Sequence, residues 1–440
     1  MSNISAEVYI DGRWHRGEGG ELVVHSPVEG TVVARLQQAS SEQASAAIAA
    51  AHRSQREWAE LAFAASFMSY NAEWDRRLDG DLLPGDVTGE HIDLRREPLG
   101  VIAAICPWNF PLAVLCRKLG PALVTGNTVV VKPSEISPLS TMALFHLIGE
   151  QLDLPDGVLN LVVGDGSIGE AMVNDPQTSM VTFTGHRDTG KRVMAAAARH
   201  LTRVSLELGG KAPAIVWHDA DLDIAVPAIL EARHANCGQV CTSAERVLVH
   251  RSIADEFTER YAAAVRAMRV GDPRDAVDLG PMASSAQLDK TLTAIDTAVA
   301  AGATVVTGGG RPSPSPVEGG YWCSPTVLSD VEPNMAIASE EIFGPVTPII
   351  AIDSFEQAIG IANDSRYGLS AYVFSSDYST VLNTVDQLEF GEIYVNRTLG
   401  ESVHAHHAGW KESGMGGEDG KWGMLRYTQL KTVYHHYGTL

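Results

Sequence analysis

Short apolar segments of strand length alternate with helical stretches through most of this 440-residue chain. From residue 101 onward, the apolar or β-branched runs are residues 101–105, 128–131, 159–163, 180–183 and 203–206. After Gly210 the pattern starts again, with runs at residues 214–216, 246–250, 304–306, 347–352, 371–374 and 391–395. Continuously apolar strands separated by helices are typical of a doubly wound α/β layer with a parallel sheet. The chain is therefore predicted to contain two α/β domains.

The residues before this pattern are predicted to form smaller elements. Residues 81–94 hold a Pro-Gly-Asp turn between extended segments, which predicts a projecting β-hairpin. A capping box at Ser40 predicts a helix over residues 44–58, and residues 63–78 are predicted to form another helix.

Composition excludes several classes of function. A formal net charge of −21 argues against binding to a phosphate backbone, because nucleic acids are themselves polyanions. Five cysteines, an odd and sparse set, indicate a reducing compartment rather than a disulfide framework. The sequence shows neither a signal-peptide pattern nor an apolar run long enough to span a bilayer. We therefore expect a cytoplasmic protein that binds neither nucleic acid nor membrane.

Two segments carry the strongest indication of chemistry. Cys241 follows Asn236, Gly238 and Gln239 on a glycine-containing loop, and Glu207 precedes a Gly-Gly turn. A free cysteine is most often a packed core residue, and a glutamate at a strand end is most often exposed. Covalent catalysis, however, needs a thiol that attacks as its thiolate and a group that deprotonates a later water. Cys241 is therefore a candidate nucleophile, and Glu207 is a candidate base.

Three further motifs accompany these segments. They are Pro-Trp-Asn-Phe-Pro at residues 107–111, Lys-Pro-Ser-Glu at 132–135 and Glu-Ile-Phe-Gly-Pro at 341–345. In this order, and with the segments around Cys241 and Glu207, they resemble the NAD(P)-dependent aldehyde dehydrogenase superfamily over nearly the whole chain.

The resemblance implies a mixed α/β fold with three parts. They are a Rossmann-type NAD-binding domain (residues 1–80 and 99–209), an α/β catalytic domain (210–412) and a β oligomerisation element (81–98 and 413–440). In the family, the oligomerisation element joins the hairpin to the C-terminal strand, so a homodimer or homotetramer is expected.

The resemblance also implies how the catalytic residues act. Cys241 would attack the aldehyde carbon to form a thiohemiacetal, hydride would leave to NAD, and water would hydrolyse the resulting thioester. Glu207 would activate that water. Asn109 and the backbone N–H of Cys241 would form the oxyanion hole, where each donor contributes about 3–4 kcal/mol. Lys118 matches one half of a proton-relay pair with Glu418.

The predicted cofactor site combines residues from several motifs. Residues 164–169 are a literal G-x-G-x-x-G, whose generic interpretation is a pyrophosphate site. The family instead holds the pyrophosphate near residues 185–190, and His186 stands where a serine is usual. Glu135 would bind the adenosine ribose hydroxyls and repel a 2′-phosphate, which favours NAD over NADP. The complete predicted set is Trp108, Lys132, Ser134, Glu135, Gly166, Ser167, Gly185, His186, Gly190, Leu208, Gly209, Glu341 and Phe343.

The tail of the chain resembles the lactaldehyde and glycolaldehyde dehydrogenase subgroup. Residues matching Arg117, Glu401 and His407 would contact a small hydroxyaldehyde, a substrate whose recognition depends on polar groups that pair with its hydroxyl. Arg117 could instead bind an anionic group, which keeps sulfolactaldehyde, phosphonate aldehyde and succinic semialdehyde substrates open. No metal is expected at His404, His406 and His407, because no carboxylate or cysteine at suitable spacing completes a ligand set.

Two other classes of function stay open. The helical region between Trp58 and Pro107 is shorter than is usual in the family, which is the one feature that favours a catalytically silent relative. A dehydrogenase that transfers the acyl group to coenzyme A is disfavoured by Glu207, because such enzymes need no water-activating carboxylate.

Overall fold

The computed structural model describes residues 7–10, 13–48, 71–273, 275 and 277–438. Residues 41–48 are helical, and the Ser40 and Gln43 side chains each accept the other residue's backbone N–H, which confirms the capping box. The rest of the helix predicted over residues 44–58 lies outside the described residues. Of residues 63–78, only 71–78 are described. They contain one 3-10 turn, Ala72–Trp74, so the helix prediction is wrong for that part.

The first sheet has eight strands, and its five central strands are parallel. In spatial order the strands are Arg13–Arg16, Glu7–Ile10, Leu159–Leu161, Thr128–Lys132, Val101–Ile105, Thr178–Thr184, Arg203–Glu207 and Gly414–Met415. The chain extends the sheet to one side of Val101–Ile105 and then returns to its other side. The carboxyl ends of Val101–Ile105 and Thr178–Thr184 therefore flank a topological switch point, the place where such sheets bind ligands.

The second sheet has seven strands. In spatial order they are Thr304–Thr307, Thr326–Ser329, Val346–Ile352, Ala244–His250, Ala212–Val216, Ser370–Phe374 and Glu392–Val395. Neighbouring strands are parallel except for the first two. Six of the seven follow the predicted apolar runs. The sequence did not indicate Thr326–Ser329.

Helices cover both sheets. Besides the helical residues 41–48, those in the described part of the chain are, in chain order, Pro111–Val124, Leu139–Gln151, Gly166–Asn174, Arg187–Ala197, Leu222–His234, Arg251–Ala267, Ser285–Ala300, Ala336–Ser339, Phe355–Asn363, Tyr378–Gln387 and Gly420–Leu425. Alternate residues of Val101–Ile105 belong to two different hydrophobic clusters, one on each face of the first sheet. Both faces are thus buried, which confirms the predicted doubly wound α/β architecture.

A separate three-stranded antiparallel sheet contains Thr428–His436, Glu90–Pro98 and Asp81–Pro84, in that order. Leu430 pairs with Arg96 and Tyr434 with Ile92, so the hairpin joins the C-terminal strand as the sequence predicts. Two short strand pairs complete the structure: Glu21–His25 with Val32–Gln37, and Tyr367–Gly368 with Trp410–Lys411. The division into three parts at residues 81, 99, 210 and 413 stays a prediction.

Among the described residues, no helix is both long enough and apolar enough to cross a membrane.

Candidate active site

A cavity of about 470 Å³ lies between the two large sheets. Its wall contains residues that follow the carboxyl ends of first-sheet strands and residues that precede the strand Ala244–His250 of the second sheet. It brings together many of the predicted site residues: Trp108, Asn109, Arg117, Gly185, His186, Glu207, Leu208, Gly209, Cys241, Glu341, Phe343, Glu401 and His407. Gln287 and Lys290, which the sequence did not indicate, line it as well, and so does Thr184, directly before the predicted phosphate turn at residues 185–190.

The loop that carries Cys241 has an unusual backbone. Asn236, Cys237 and Gly238 all have positive φ, at 48°, 58° and 71°. A Cβ on Gly238 would lie 2.5 Å from the carbonyl oxygen of Gly344, so only glycine allows this close approach. Cys237 points into the protein and its thiol donates to the Gly280 carbonyl at 3.0 Å, while Cys241 is half-buried and faces the cavity. Of these two thiols, Cys241 is the one open to a substrate.

Asn109 forms hydrogen bonds with the same loop. Its side-chain amide donates to the Gln239 carbonyl at 3.0 Å, and the Asn236 side chain donates to the Asn109 carbonyl at 3.1 Å. An amide nitrogen carries two N–H groups, so one donor remains for a ligand in the cavity.

Glu207 ends the strand Arg203–Glu207, and its side chain is only 3% exposed. Among the described residues, neither carboxylate oxygen has a hydrogen-bond partner. Burial raises the pKa of Glu207 to about 8, although the nearby His407 acts against this shift. A buried carboxyl group with free oxygens and a raised pKa is suited to take a proton from water near neutral pH.

His407 lies at the centre of the polar wall. Its Nε2 is 3.7 Å from Glu207 Oε2, and its Nδ1 is 3.0 Å from Glu392 Oε1 and 4.0 Å from Glu401 Oε1. Its side chain and the Cys241 thiol line the same cavity. Burial lowers the pKa of His407, but the contacts with Cys241, Glu392 and Glu207 outweigh burial and raise this pKa well above its usual value.

Arg117 is surrounded by acidic groups. The guanidinium is 3.0 Å from Asp419, 3.8 Å from Glu401 and 4.0 Å from Glu418. Burial raises the pKa of Asp419 to about 6, and the positive charge of Arg117 limits this rise. The positive charge of Arg117 is thus already opposed by its carboxylate neighbours.

Lys118 and Glu418 form a buried ion pair beneath this wall, and the Lys118 ammonium also donates to the Thr182 hydroxyl at 3.1 Å. Burial acts to raise the pKa of Glu418, but Lys118 and Arg117 outweigh burial and lower it. Lys118 does not line the cavity, so any part in proton transfer would pass through Glu418.

The segment around Glu341 also lines the cavity, beside the Gly-Gly turn that follows Glu207. Glu341 Oε1 accepts the Gly210 N–H at 2.8 Å, and burial raises the pKa of Glu341 to about 7. A Cβ on Gly209 would lie 2.5 Å from this carboxylate, so glycine permits the contact. The Phe343 ring meets Trp108 edge to face, with centroids 5.4 Å apart.

Six predicted cofactor residues lie outside the cavity wall: Lys132, Ser134, Glu135, Gly166, Ser167 and Gly190. Lys132 is 3.6 Å from Glu135, at the carboxyl end of Thr128–Lys132, and the Ser134 hydroxyl accepts the Ile136 N–H. Gly166 and Ser167 begin a helix capped by Asp165, and the Cβ position of Gly166 faces open space. Gly190 packs against Leu208 in the helix Arg187–Ala197. His186 caps that helix by accepting the Asp188 N–H at 3.2 Å, and burial lowers its pKa, so its neutral form is favoured.

These observations show space and polar groups that suit a dinucleotide. The buried Thr184 hydroxyl at the cavity has no hydrogen-bond partner among the described residues. The Gly185–His186 turn next to it opens a helix, where backbone N–H groups favour anions.

Sequence reasoning missed two carboxylates of the site, Glu392 and Asp419. Asp419 directly follows Glu418 and could have been inferred from its neighbour. Glu392 is the first residue of Glu392–Val395, and nothing in that strand indicates that it meets His407, 15 residues later. The sequence indicated no carboxylate that could complete a metal site with His404, His406 and His407, but Glu392 and Glu401 do lie beside His407. We interpret these contacts as ion pairs, and the absence of a resident metal stays a prediction.

Comparisons with known proteins agree with this site. The Aldehyde dehydrogenase family matches residues 59–433. Lactaldehyde dehydrogenase from Escherichia coli is 40% identical over 474 aligned positions, which cover 97% of this chain and 98% of the relative. Its crystal structure superposes with a TM-score of 0.93 and 38% identity, covering 98% of this chain and 99% of that one. The alignment has more positions than the chain has residues, so the chain lacks residues that this relative has.

Two further relatives differ in their named activities. Mitochondrial succinate-semialdehyde dehydrogenase from Arabidopsis thaliana is 44% identical over 376 positions, covering 85% of this chain and 70% of the relative. An enzyme from Thermoplasma acidophilum named D-glyceraldehyde dehydrogenase (NADP(+)) is 35% identical, covering 99% of this chain and 97% of the relative.

Proposed function

The chain belongs to the aldehyde dehydrogenase family, whose members oxidise aldehydes with NAD or NADP, and from that premise we propose that it oxidises a small α-hydroxyaldehyde with NAD. Lactaldehyde and glycolaldehyde are the substrates that this proposal favours, and the product is the carboxylic acid. The observation that supports this substrate class is that carboxylate groups surround Arg117 in the cavity that Cys241 also lines.

The catalytic part of the proposal assigns one step to each residue. Cys241 attacks the carbonyl carbon, and the side chain of Asn109 together with the Cys241 N–H stabilises the negative charge on oxygen. Bound NAD, held by Glu341 and Phe343, would supply the hydride acceptor, and the acyl group would remain on Cys241 as a thioester. Glu207 then takes a proton from the water that hydrolyses this thioester. Its buried carboxylate, which has no hydrogen-bond partner among the described residues, supports that role. Lys118 and Glu418 carry the proton away.

The cofactor part assigns Glu341 and Phe343 to the nicotinamide end, with Trp108, Leu208 and Gly209 beside them. Lys132, Ser134 and Glu135 would hold the adenosine ribose, with Gly166 and Ser167 nearby, and Gly185, His186 and Gly190 would lie near the phosphates. Glu135 is 41% exposed, so its carboxylate is available to ribose hydroxyls and would repel a 2′-phosphate. We expect a higher kcat/KM with NAD than with NADP, and Glu135→Gln should reduce that preference.

The substrate part rests on charge. An anionic substrate would add a negative charge next to Glu401, Glu418 and Asp419, all within 4.0 Å of Arg117. A neutral hydroxyl instead pairs with both kinds of group, because it donates to a carboxylate and accepts from the guanidinium. Sites built around such pairs discriminate strongly against analogues that lack the hydroxyl. His407 would be the third group to contact the substrate.

A second candidate is an anionic aldehyde of the succinic semialdehyde type. The relative named for that substrate is 44% identical, and Arg117 and Lys290 both line the cavity. This candidate requires that Arg117 exchanges an acidic neighbour for the substrate's charge.

The test is NADH formation by the purified protein with lactaldehyde, glycolaldehyde, propionaldehyde, succinic semialdehyde and sulfolactaldehyde. Hydroxyaldehydes should give the highest kcat/KM without coenzyme A, and Cys241→Ala should be inactive. Glu401→Gln should lower kcat/KM for lactaldehyde about tenfold or more, since it weakens a charged hydrogen bond, and should leave propionaldehyde unaffected. Higher kcat/KM with an anionic aldehyde would refute the substrate class. No turnover with any aldehyde, while NAD still binds, would favour a silent relative.

Assembly belongs to the same proposal. We propose a homodimer or homotetramer formed through the three-stranded sheet. The cytoplasmic location inferred from the cysteine content stays a prediction.

A further inference from the structure

We propose that His407, positioned by Glu392, takes the proton of the Cys241 thiol before the thiol attacks the substrate. This inference rests on the proposed role of Cys241 as nucleophile, but it does not depend on which aldehyde is oxidised. It adds a thiol-activating base to the site and a positioning residue, Glu392, which contacts neither substrate nor cofactor in the proposed mechanism.

The hydrogen bonds of His407 determine which ring nitrogen carries the proton. Glu392 Oε1 lies 3.0 Å from Nδ1, and because a carboxylate only accepts, Nδ1 must donate to it. In neutral imidazole the other nitrogen, Nε2, then has a free lone pair. Glu418 holds the backbone of His407 through hydrogen bonds of 3.0 and 2.7 Å, and burial of the residue together with the Glu392 contact limits rotation of the ring. Nε2 lies 3.7 Å from Glu207 Oε2, and Glu207, His407 and Cys241 all line the cavity.

A chain of contacts connects Glu392 to the loop that contains Cys241. Its second oxygen accepts the Tyr394 hydroxyl at 2.9 Å, and Tyr394 stacks on Tyr372 with ring centroids 5.0 Å apart. The Tyr372 hydroxyl donates to the carbonyl of Thr242 at 2.7 Å, directly after Cys241. One buried scaffold therefore fixes both the carboxylate that orients the imidazole and the residue next to the thiol.

Charge around His407 favours the state after proton transfer. The titratable groups around the ring are Glu207, Glu392, Glu401, Glu418, Asp419, His406 and Cys241, and the cation Arg117 lies beyond Glu401, at 3.8 Å from it. Five of these seven are carboxyl groups, and the pKa of His407 is raised accordingly. An imidazolium is therefore stabilised in a buried position where a neutral ring would otherwise be expected.

The proton balance closes within the site. The Cys241 S–H bond breaks, its proton moves to His407 Nε2, and the thiolate electron pair attacks the carbonyl carbon. At the end of the cycle, hydrolysis of the thioester releases the thiolate, and His407 returns the proton to sulfur. Glu207 separately accepts the proton of the attacking water, so the two bases serve different steps.

The test is the pH dependence of iodoacetamide labelling at Cys241, read by peptide mass spectrometry with and without NAD. This readout needs no substrate, so its failure differs from a failure of the proposed reaction. His407→Asn should lower the labelling rate of Cys241 near neutral pH about 100-fold and move the pH midpoint upward. Glu392→Gln should give a smaller change in the same direction, about tenfold.

Controls separate this role from a structural one. Cys116 is exposed, so its labelling in the same samples reports reagent quality and should not change. Glu389→Gln removes a carboxylate that pairs with Lys411 on the surface and should leave the Cys241 profile as in the wild type. If His407→Asn raises KM for the aldehyde but leaves the labelling profile of a folded, NAD-binding protein unchanged, His407 only binds substrate and the proposal is wrong. An effect of His407→Asn without any effect of Glu392→Gln would overturn the role of Glu392.

Discussion

At the scale of single residues, burial sets the pH at which Glu207 can act as a base. Burial raises the pKa of its carboxyl group to about 8. A base works in its deprotonated form, so hydrolysis of the thioester should become faster as pH rises from 6 through 8 and should level off above it. Steady-state kcat measured across this pH range checks the prediction, provided that hydrolysis limits turnover.

The control for this prediction is Glu207→Gln, which has the same shape but does not titrate. Its residual kcat should no longer rise through pH 8. If the wild type and Glu207→Gln gave profiles of the same shape, another group would be responsible for the titration.

Some residues of the site could be predicted from the sequence, and others could not. Cys241, Glu207, Asn109 and Glu341 each stand in a short motif, so their proximity could be predicted without knowing the fold. Glu392 could not, because its contact with His407 depends on how a strand start and a later loop pack together. The acidic neighbours of Arg117 were indicated in part, because the resemblance groups Glu401 with Arg117 and pairs Glu418 with the adjacent Lys118. The direct ion pairs of Arg117 with these residues and with Asp419 depend on the fold, since the partners lie some 300 residues away in the chain.

At the scale of elements, a buried ion pair joins the two segments that contribute Glu207 and Glu341. Lys211 follows the Gly-Gly turn and lies 2.8 Å from Glu245, which also accepts the backbone N–H groups of Ile342 and Phe343 at 2.8 and 2.7 Å. Glu245→Leu would leave Lys211 without its counter-charge and two donors unpaired. We expect it to lower the free energy of unfolding by about 3–5 kcal/mol, measured by denaturant unfolding.

The chain offers a matched control in the same segment. Glu340 is exposed and pairs with Arg366 at 3.2 Å, and such surface pairs contribute only about 0–1 kcal/mol. Glu340→Leu should therefore leave stability nearly unchanged. Equal losses for the two variants would show that Glu245 does not hold the Glu341 segment in place.

Secondary-structure elements could be predicted from the sequence where burial requires a regular pattern of apolar residues. The central strands follow continuous apolar runs, since both of their faces are covered. Thr326–Ser329 was missed because only two apolar residues stand between polar ends, which is too short a run to indicate a strand. The described part of residues 63–78 forms a 3-10 turn instead of a helix, so local composition was a poor guide there.

At the scale of the whole molecule, the three-stranded sheet exposes an apolar row that a partner could cover. Tyr434, Ile92 and Leu83 are directly opposite one another on its three strands, and Tyr434 and Leu83 are 73% and 42% exposed. We expect light scattering to give at least twice the chain mass of 47.1 kDa. Leu83→Glu with Tyr434→Glu should shift the protein toward that single-chain mass, because it places charges in the contact.

Val299→Glu is the control for assembly, since Val299 is exposed on the helix Ser285–Ala300, away from this sheet. It should keep the wild-type mass. A wild-type protein with the mass of one chain would contradict the predicted assembly.

The central claim is that Cys241 forms the covalent bond and Glu207 is needed to break it. Intact-protein mass spectrometry of Glu207→Gln, mixed with lactaldehyde and NAD, tests this most directly. The account predicts one acyl group per chain, located on Cys241 by peptide mapping and absent when Cys241→Ala is added to the same variant. An unmodified Glu207→Gln protein that still turns over lactaldehyde, or an acyl group on another residue, would contradict it.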